Sequence, residues 1–259
     1  MISPPRRSIS LVPSQTELLF DLGLDEHVIG ITKFCIHPGH WFNSKQRIGG
    51  TKQLNLPLIQ SLLPNLVIAN KEENVKEQVD AIEQFCPVYC SDISTLADSY
   101  YMIDQIGMLT NTSSKASWLI DSIKNEFSTL QATANPVIKA AYLIWRNPYM
   151  TIGADTFIND MLRLAGFENV FANRKRYPEI SIEELAAAGA DVILFSSEPF
   201  PFKEKHLMEI RAWWSQNSVQ SLPHLKIVNG EMFSWYGSRL LHSANYFRKL
   251  RESLFLNDE

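Results

Sequence analysis

Cysteine is scarce in this chain. Three thiols among 259 residues cannot build a disulfide framework; no Cys-x-x-Cys occurs, and the nearest spacing is Cys86-Pro-Val-Tyr-Cys90. Thiol–disulfide chemistry is therefore not indicated, and Cys86 and Cys90 read as small apolar residues flanking a short strand. Positive charge is not in excess either: 24 Lys plus Arg stand against 28 Asp plus Glu, a formal net charge of -4, and no basic run exceeds Arg174-Lys175-Arg176. Nucleic acid is not expected as a partner, because its binding needs a concentrated basic surface. The chain has no run of about 18 apolar residues to span a membrane. Its start, Met1-Ile2-Ser3-Pro4-Pro5-Arg6-Arg7, leads into too short an apolar stretch for an export signal. The sequence thus predicts either a cytoplasmic protein or a chain that begins after a removed signal peptide. Gly-x-Ser-x-Gly, His-Glu-x-x-His and Walker loops are all missing, so the commonest hydrolytic and nucleotide chemistries are not announced.

What is present is the composition of an ordinary globular protein, 45% hydrophobic and 20% charged, long enough for one large domain or two lobes. Ser8-Ile9-Ser10-Leu11-Val12 reads as a buried strand, and Ser14 and Glu17 have the Ser-x-x-Glu spacing of a capping box opening a helix. Further strands are expected at Val28 to Ile31, Leu66 to Ala69 and Val88 to Cys90, with helices at Leu58 to Leu63 and Val75 to Phe85 between them. Lys33 to Gly50 has no clear period and reads as a long functional loop. Strand and helix in alternation define the α/β class with mostly parallel sheets.

From Ser113 the pattern changes to one long amphipathic helix, with Ala116, Leu119, Ile120, Ile123, Phe127 and Leu130 on one stripe and Pro136 past its end at Ala134. Alternation then resumes with strands at Ala141 to Trp145 and Val192 to Phe195 and helices at Thr156 to Ala165 and Ile182 to Ala188. Leu58 to Ala69 matches Glu183 to Leu194 in pattern, a helix running tightly into a buried strand. The expected organisation is an N-terminal α/β lobe over 1–112, a bridging helix over 113–136 and a C-terminal α/β lobe over 137–259. Ligands of open α/β sheets lie beyond the carboxyl ends of the strands, which makes an interlobe cleft the expected site.

The segments that follow strands collect aromatic and polar residues. In the first half these carry Gln15, then Phe34 and His37, then Asn70. In the second half they carry Trp145, Arg146 and Tyr149, then Glu198 and Phe200, and last Phe233, Trp235, Tyr236 and Arg239. Flat aromatic faces suit a large planar or macrocyclic ligand because they bury much area at low conformational cost. Arg146, Glu198 and Arg239 are candidates to orient its polar groups. Cys35, His37 and His40, spaced Cys-x-His-x-x-His, are the one compact cluster of metal-ligating types, which leaves open a cytoplasmic metal-binding protein or enzyme on the same scaffold. That spacing is not a standard structural zinc signature, and local loop hydrogen bonding is the competing reading.

At Ser10-Leu11-Val12-Pro13-Ser14-Gln15-Thr16-Glu17-Leu18, Leu63-Pro64-Asn65-Leu66-Val67-Ile68-Ala69 and Gly153-Ala154-Asp155-Thr156-Phe157 the chain resembles the helical-backbone (class III) substrate-binding proteins of ABC importers, the vitamin B12 and iron-siderophore class. The resemblance implies two Rossmann-like lobes bridged by the long helix, a corrinoid or ferric-chelate ligand, no intrinsic cofactor or catalysis, a monomer, and a periplasmic or membrane-associated location. Relative to vitamin B12-binding members, Phe34, Tyr177 and Phe233 keep aromatic positions, whereas Thr51, Asn70 and Met150 do not. The resemblance also implies docking on an ABC permease through one acidic residue per lobe. Glu183 stands at the second-lobe position, and Pro57 occupies the first.

Overall fold

A computed structural model of the chain describes residues 5–130, 137–217 and 221–255. The chain forms two compact units. The first takes residues up to Ile123 together with Trp235–Leu241; the second takes Lys124–Ser234 and the residues from His242 onward.

The sheet of the first unit is parallel throughout, in the order Gln46–Arg47, Val28–Ile31, Ser8–Ser10, Leu66–Asn70, Val88–Ser91. Strand Leu66–Asn70 is buried at all five positions, so the apolar run Leu66–Ala69 reflects a central parallel strand covered on both faces. Strand order reverses between Ser8–Ser10 and Leu66–Asn70, and ligands of such sheets bind beyond the carboxyl ends at that point. Helix Pro13–Asp21 starts there, and it does not use the expected capping box. Val12 is its N-cap and makes no side-chain cap, while Pro13, whose fixed φ suits a first helical turn, opens the helix and leaves Ser14 inside it. A true capping box occurs at helix Leu96–Leu109: Asp98 N–H donates to Thr95 Oγ1 at 3.2 Å and Thr95 N–H to Asp98 Oδ2 at 2.8 Å. The segment expected to be one loop from Lys33 to Gly50 contains helix Gly39–Ser44 and strand Gln46–Arg47, anchored by the fully buried indole of Trp41.

The second unit holds another parallel sheet, in the order Phe167–Asn169, Ile138–Leu143, Val192–Ser196, His224–Val228. Its order reverses between Ile138–Leu143 and Val192–Ser196. Leu143, Ile193 and Phe195 from these strands pack with Phe202, Ile210 and Trp214 into one core. Each such side chain contributes about 1.5–3 kcal/mol by leaving water.

Helix Ser113–Ser128 buries the expected stripe from Ala116 to Phe127, and the division between the units falls inside it. The end of the expected bridging helix, with Ala134 and Pro136, lies outside the described residues. The first unit also takes back Trp235–Leu241, which the expected boundaries placed in the second lobe.

Candidate functional site

At the carboxyl edge of the first sheet a buried polar network fixes the loops. Gln15 Nε2 donates to Ser91 Oγ at 2.5 Å, and Asn70 Nδ2 donates to the same oxygen at 3.1 Å. Asn70 Oδ1 accepts from the backbone of Glu72 at 2.9 Å and Glu73 at 3.2 Å, closing the turn after its strand. Asn74 Nδ2 then reaches the carbonyl of Thr51 at 3.1 Å. Gln15 and Asn70, expected to face the ligand, are buried in this network, although Gln15 Oε1 has no hydrogen-bond partner. Their amides tie the turn after strand Leu66–Asn70 to the end of strand Val88–Ser91, and the exposed side chains lie on other loops.

Those exposed side chains are aromatic and apolar. Phe34 is 50% and Ile36 47% exposed, with the Lys33 ammonium 5.1 Å from the Phe34 ring centroid. His37 is half-buried and meets Trp235 edge-on at 5.5 Å. Trp235 and Tyr236 are mostly buried, and Arg239 lies 4.7 Å from the Trp235 ring while pairing with Glu17. Arg239 thus supports an aromatic neighbour in addition to carrying charge.

Cys35, His37 and His40 do not converge on a metal. Cys35 is fully buried, with Thr16 Oγ1 at 3.0 Å and Thr32 Oγ1 at 3.1 Å from its sulfur, and burial pushes its thiol up from the ordinary value. His40 instead packs edge-on against Phe20 at 5.2 Å. Among the described residues no group of three or more His, Cys, Asp or Glu side chains is placed to hold a metal ion.

In the second unit the two loops at the strand-order reversal face each other. Trp145, 41% exposed, follows strand Ile138–Leu143, and Phe200, half-buried, follows Val192–Ser196; their rings meet edge-on at 5.7 Å. Between these loops the Phe200 N–H donates to the Ile144 carbonyl at 3.4 Å. Arg146 is held by Glu209 at 2.5 Å, and Glu198 Oε1 accepts from Ser234 Oγ at 2.6 Å. Gly230 permits that second contact, since a Cβ there would stand 2.3 Å from Ser196 Oγ and 2.6 Å from Glu198 Cγ. Phe233 lies in the core, fully buried against Tyr142 and Phe247.

Tyr149 sits on the short strand Tyr149–Met150, paired with Glu179–Ile180, and lines a shallow groove of about 520 Å³ with Pro148, Ile180 and Ile182. Tyr177 is placed by the Gly153-Ala154-Asp155 turn. Gly153 N–H donates to the Arg176 carbonyl at 2.7 Å, and Asp155 Oδ1 accepts from the Arg176 N–H at 2.6 Å, which holds the Asp155 carboxyl below its ordinary range. A Cβ on Gly153 would meet the Arg174 carbonyl oxygen at 2.5 Å, so only glycine lets the two segments approach. Glu183 is exposed on helix Ile182–Ala187, and Pro57 is exposed on helix Leu56–Ser61.

Sequence reasoning did not single out Glu17 as the partner of Arg239, nor His206, which packs on Phe200 and Phe202. Glu17 was legible only as a helix-cap residue, and His206 had no motif around it beyond Phe200-Pro201-Phe202.

Two α/β units, each with a parallel sheet and aromatic loops at its point of strand reversal, have the architecture of a solute-binding protein. The family model described as periplasmic binding protein matches residues 9–221, and the chain belongs to that family. The family consists of solute-binding proteins and not enzymes. The vitamin B12-binding protein of Vibrio parahaemolyticus is 27% identical over 217 residues, covering 82% of this chain and 76% of that protein. In fold the chain is similar to the crystal structure of the periplasmic vitamin B12 binding protein BtuF of Vibrio cholerae, with a TM-score of 0.81, 22% identity and coverage of 97% and 98% of the two chains. It is equally similar to the periplasmic heme-binding protein RhuT from Roseiflexus sp. RS-1, with a TM-score of 0.81, 19% identity and coverage of 96% and 98%. Among the described residues no helix is long and apolar enough to cross a membrane.

Proposed function

We propose that the protein captures a corrinoid or a planar ferric chelate outside the cytoplasm and presents it to the permease of an ABC importer. The observation that carries this reading is the placement of aromatic side chains on the carboxyl-end loops of both sheets: Phe34 and His37 on one, Trp145 and Phe200 on the other. Rings of this kind offer a macrocycle broad apolar faces that are already ordered, so little conformational entropy is lost on binding. The charged groups beside them, Arg146 and Glu198, are held by Glu209 and Ser234 and keep fixed directions for the ligand's polar edge. The relatives named for vitamin B12 and heme binding support the ligand class. Exposed Glu183 offers one acidic contact to a permease arginine, whereas Pro57 at the matching place in the first unit offers none. Docking then leans on the second unit.

Tryptophan-fluorescence titration with cyanocobalamin and with hemin, corrected for inner-filter absorption, tests the reading. Saturable quenching at micromolar concentration or below by one of the two is expected. Absence of saturation with both, and with ferric chelates of catecholate and hydroxamate type, would overturn it.

A further inference from the structure

The Phe200-Pro201-Phe202 loop is tied to the following helix, Glu204–Gln216, by a histidine. The backbone N–H of Lys203 donates to His206 Nδ1 at 2.9 Å, and the backbone N–H of His206 donates back to the Lys203 carbonyl at 2.8 Å. His206 is 4% exposed, and its ring packs on Phe200 at 5.2 Å and on Phe202 at 5.7 Å. Phe200 in turn supports Trp145. A reciprocal turn of this kind usually employs a glutamate or glutamine at the third helical position. A histidine does the same work only as the neutral Nε2–H tautomer, because an imidazolium has two donors and no acceptor.

We infer that His206 is a positioning residue for the aromatic wall of Phe200 and Trp145, and that it holds this wall only while its imidazole is neutral. The inference rests on the proposed ligand reading for the wall's purpose, but not for its existence. Protonation would set an N–H of the ring against the Lys203 N–H and break the tie between the loop and its helix. It would also place a cation in the first turn of a helix, where the dipole disfavours positive charge. The charged groups facing the ring oppose protonation as well: Lys205 on its own helix, Arg146 from the loop after Ile138–Leu143, and Lys203 at the cap. Glu209 is the one facing acid among these, and it is already paired with Arg146. Burial, reinforced by these cations, pushes the imidazole below its ordinary value of 6.5. The ring is therefore neutral at pH 7, and the wall loosens as the pH falls below 6.5.

The test uses the full chain, the variants His206→Asn and Trp145→Phe, and pH values from about 8 to 5. Asparagine places an acceptor oxygen near the position of Nδ1 and does not titrate. Without ligand, the tryptophan emission of the wild type should change reversibly below about pH 6.5. The change should be absent from His206→Asn and from Trp145→Phe. With cyanocobalamin as the probe, wild-type affinity should fall at least about fivefold between pH 7 and pH 5, a modest loss for one disordered aromatic wall, while His206→Asn keeps a flat profile. An emission change that persists in His206→Asn would overturn the inference. Failure of cyanocobalamin to bind at any pH bears on the ligand reading alone, because the ligand-free measurement still decides the role of His206.

Discussion

The guanidinium of Arg239 forks onto both carboxylate oxygens of Glu17, Nε to Oε2 at 2.9 Å and Nη2 to Oε1 at 2.5 Å, across 222 residues of chain. Both side chains are largely shielded, 12% and 19% exposed, so the pair is screened less than a surface ion pair. It fastens the Trp235–Leu241 segment to helix Pro13–Asp21 and sets the guanidinium over the Trp235 ring. Glu17→Gln should lower the unfolding free energy by about 1–3 kcal/mol, since it strips charge from two hydrogen bonds and leaves a shielded cation. Arg239→Lys should not preserve stability, because an ammonium cannot make the fork. Urea denaturation read by tryptophan emission checks both variants; unchanged midpoints would mean the pair is energetically idle.

The sequence made Glu17 visible for the wrong reason. Its Ser-x-x-Glu spacing with Ser14 satisfied the capping template, yet the helix begins at Pro13, two residues earlier than that cap implies, and a partner 222 residues away claimed the carboxylate. Periodicity, by contrast, placed the central strands well. Leu66–Ala69 and Val192–Phe195 are apolar without interruption because parallel strands are covered on both faces, a property local enough to read. The aromatic loops were legible as composition, but burial was not. Phe233 and Phe200 look alike in sequence, and tertiary packing sends the first into the core and leaves the second half-buried at the core's edge. Asn70 shows the same limit: a polar residue at a strand end is equally suited to a ligand or to closing its own turn, and here its oxygen closes the turn.

Glu73 supplies a prediction in pH. Burial raises its carboxyl from the ordinary value of 4.5, with Lys52 opposing and Glu72 assisting. The folded state therefore favours the neutral acid. Its contribution to stability is full below 4.5 and is lost as the pH rises through the raised folded value. Glu73→Gln should accordingly stabilise the protein at pH 7, and the gain should shrink to nothing below about pH 4.5. Thermal unfolding of both proteins between pH 4 and 8 checks the sign. A variant less stable than the wild type at pH 7 would show that the carboxylate, not the acid, is the favoured form.

Gly153→Ala addresses how Tyr177 is placed. The new methyl would stand 2.5 Å from the Arg174 carbonyl oxygen and 2.6 Å from Lys175 Cα, both backbone atoms that no rotamer change can move aside. A cost of about 1–3 kcal/mol is expected from the forced separation. The separation also breaks the Gly153-to-Arg176 and Arg176-to-Asp155 hydrogen bonds that shape the loop. Calorimetry gives the stability change, and cyanocobalamin titration of the folded variant shows whether Tyr177 shifts with it. Wild-type stability would mean that the 174–176 backbone yields more readily than its hydrogen bonds suggest.

Trp145→Ala and Phe200→Ala separate the surface aromatics from the buried ones. The two rings meet at 5.7 Å on adjacent carboxyl-end loops, and Trp145 is 41% exposed, so its removal opens no large cavity. Each aromatic contact is worth about 0.5–1.5 kcal/mol beyond area, a factor of about 2 to 10 in affinity. Trp145→Ala should thus weaken cyanocobalamin or hemin binding by up to about tenfold with little loss of stability. Phe200→Ala should weaken binding similarly and also destabilise the fold, because Phe200 packs on Phe202 at 4.8 Å and on His206. Since the rings touch, their effects should be less than additive, and a double-mutant cycle measures the shortfall. Strict additivity would mean that the two side chains meet the ligand independently; unchanged affinity in both folded variants would place the ligand elsewhere on the protein.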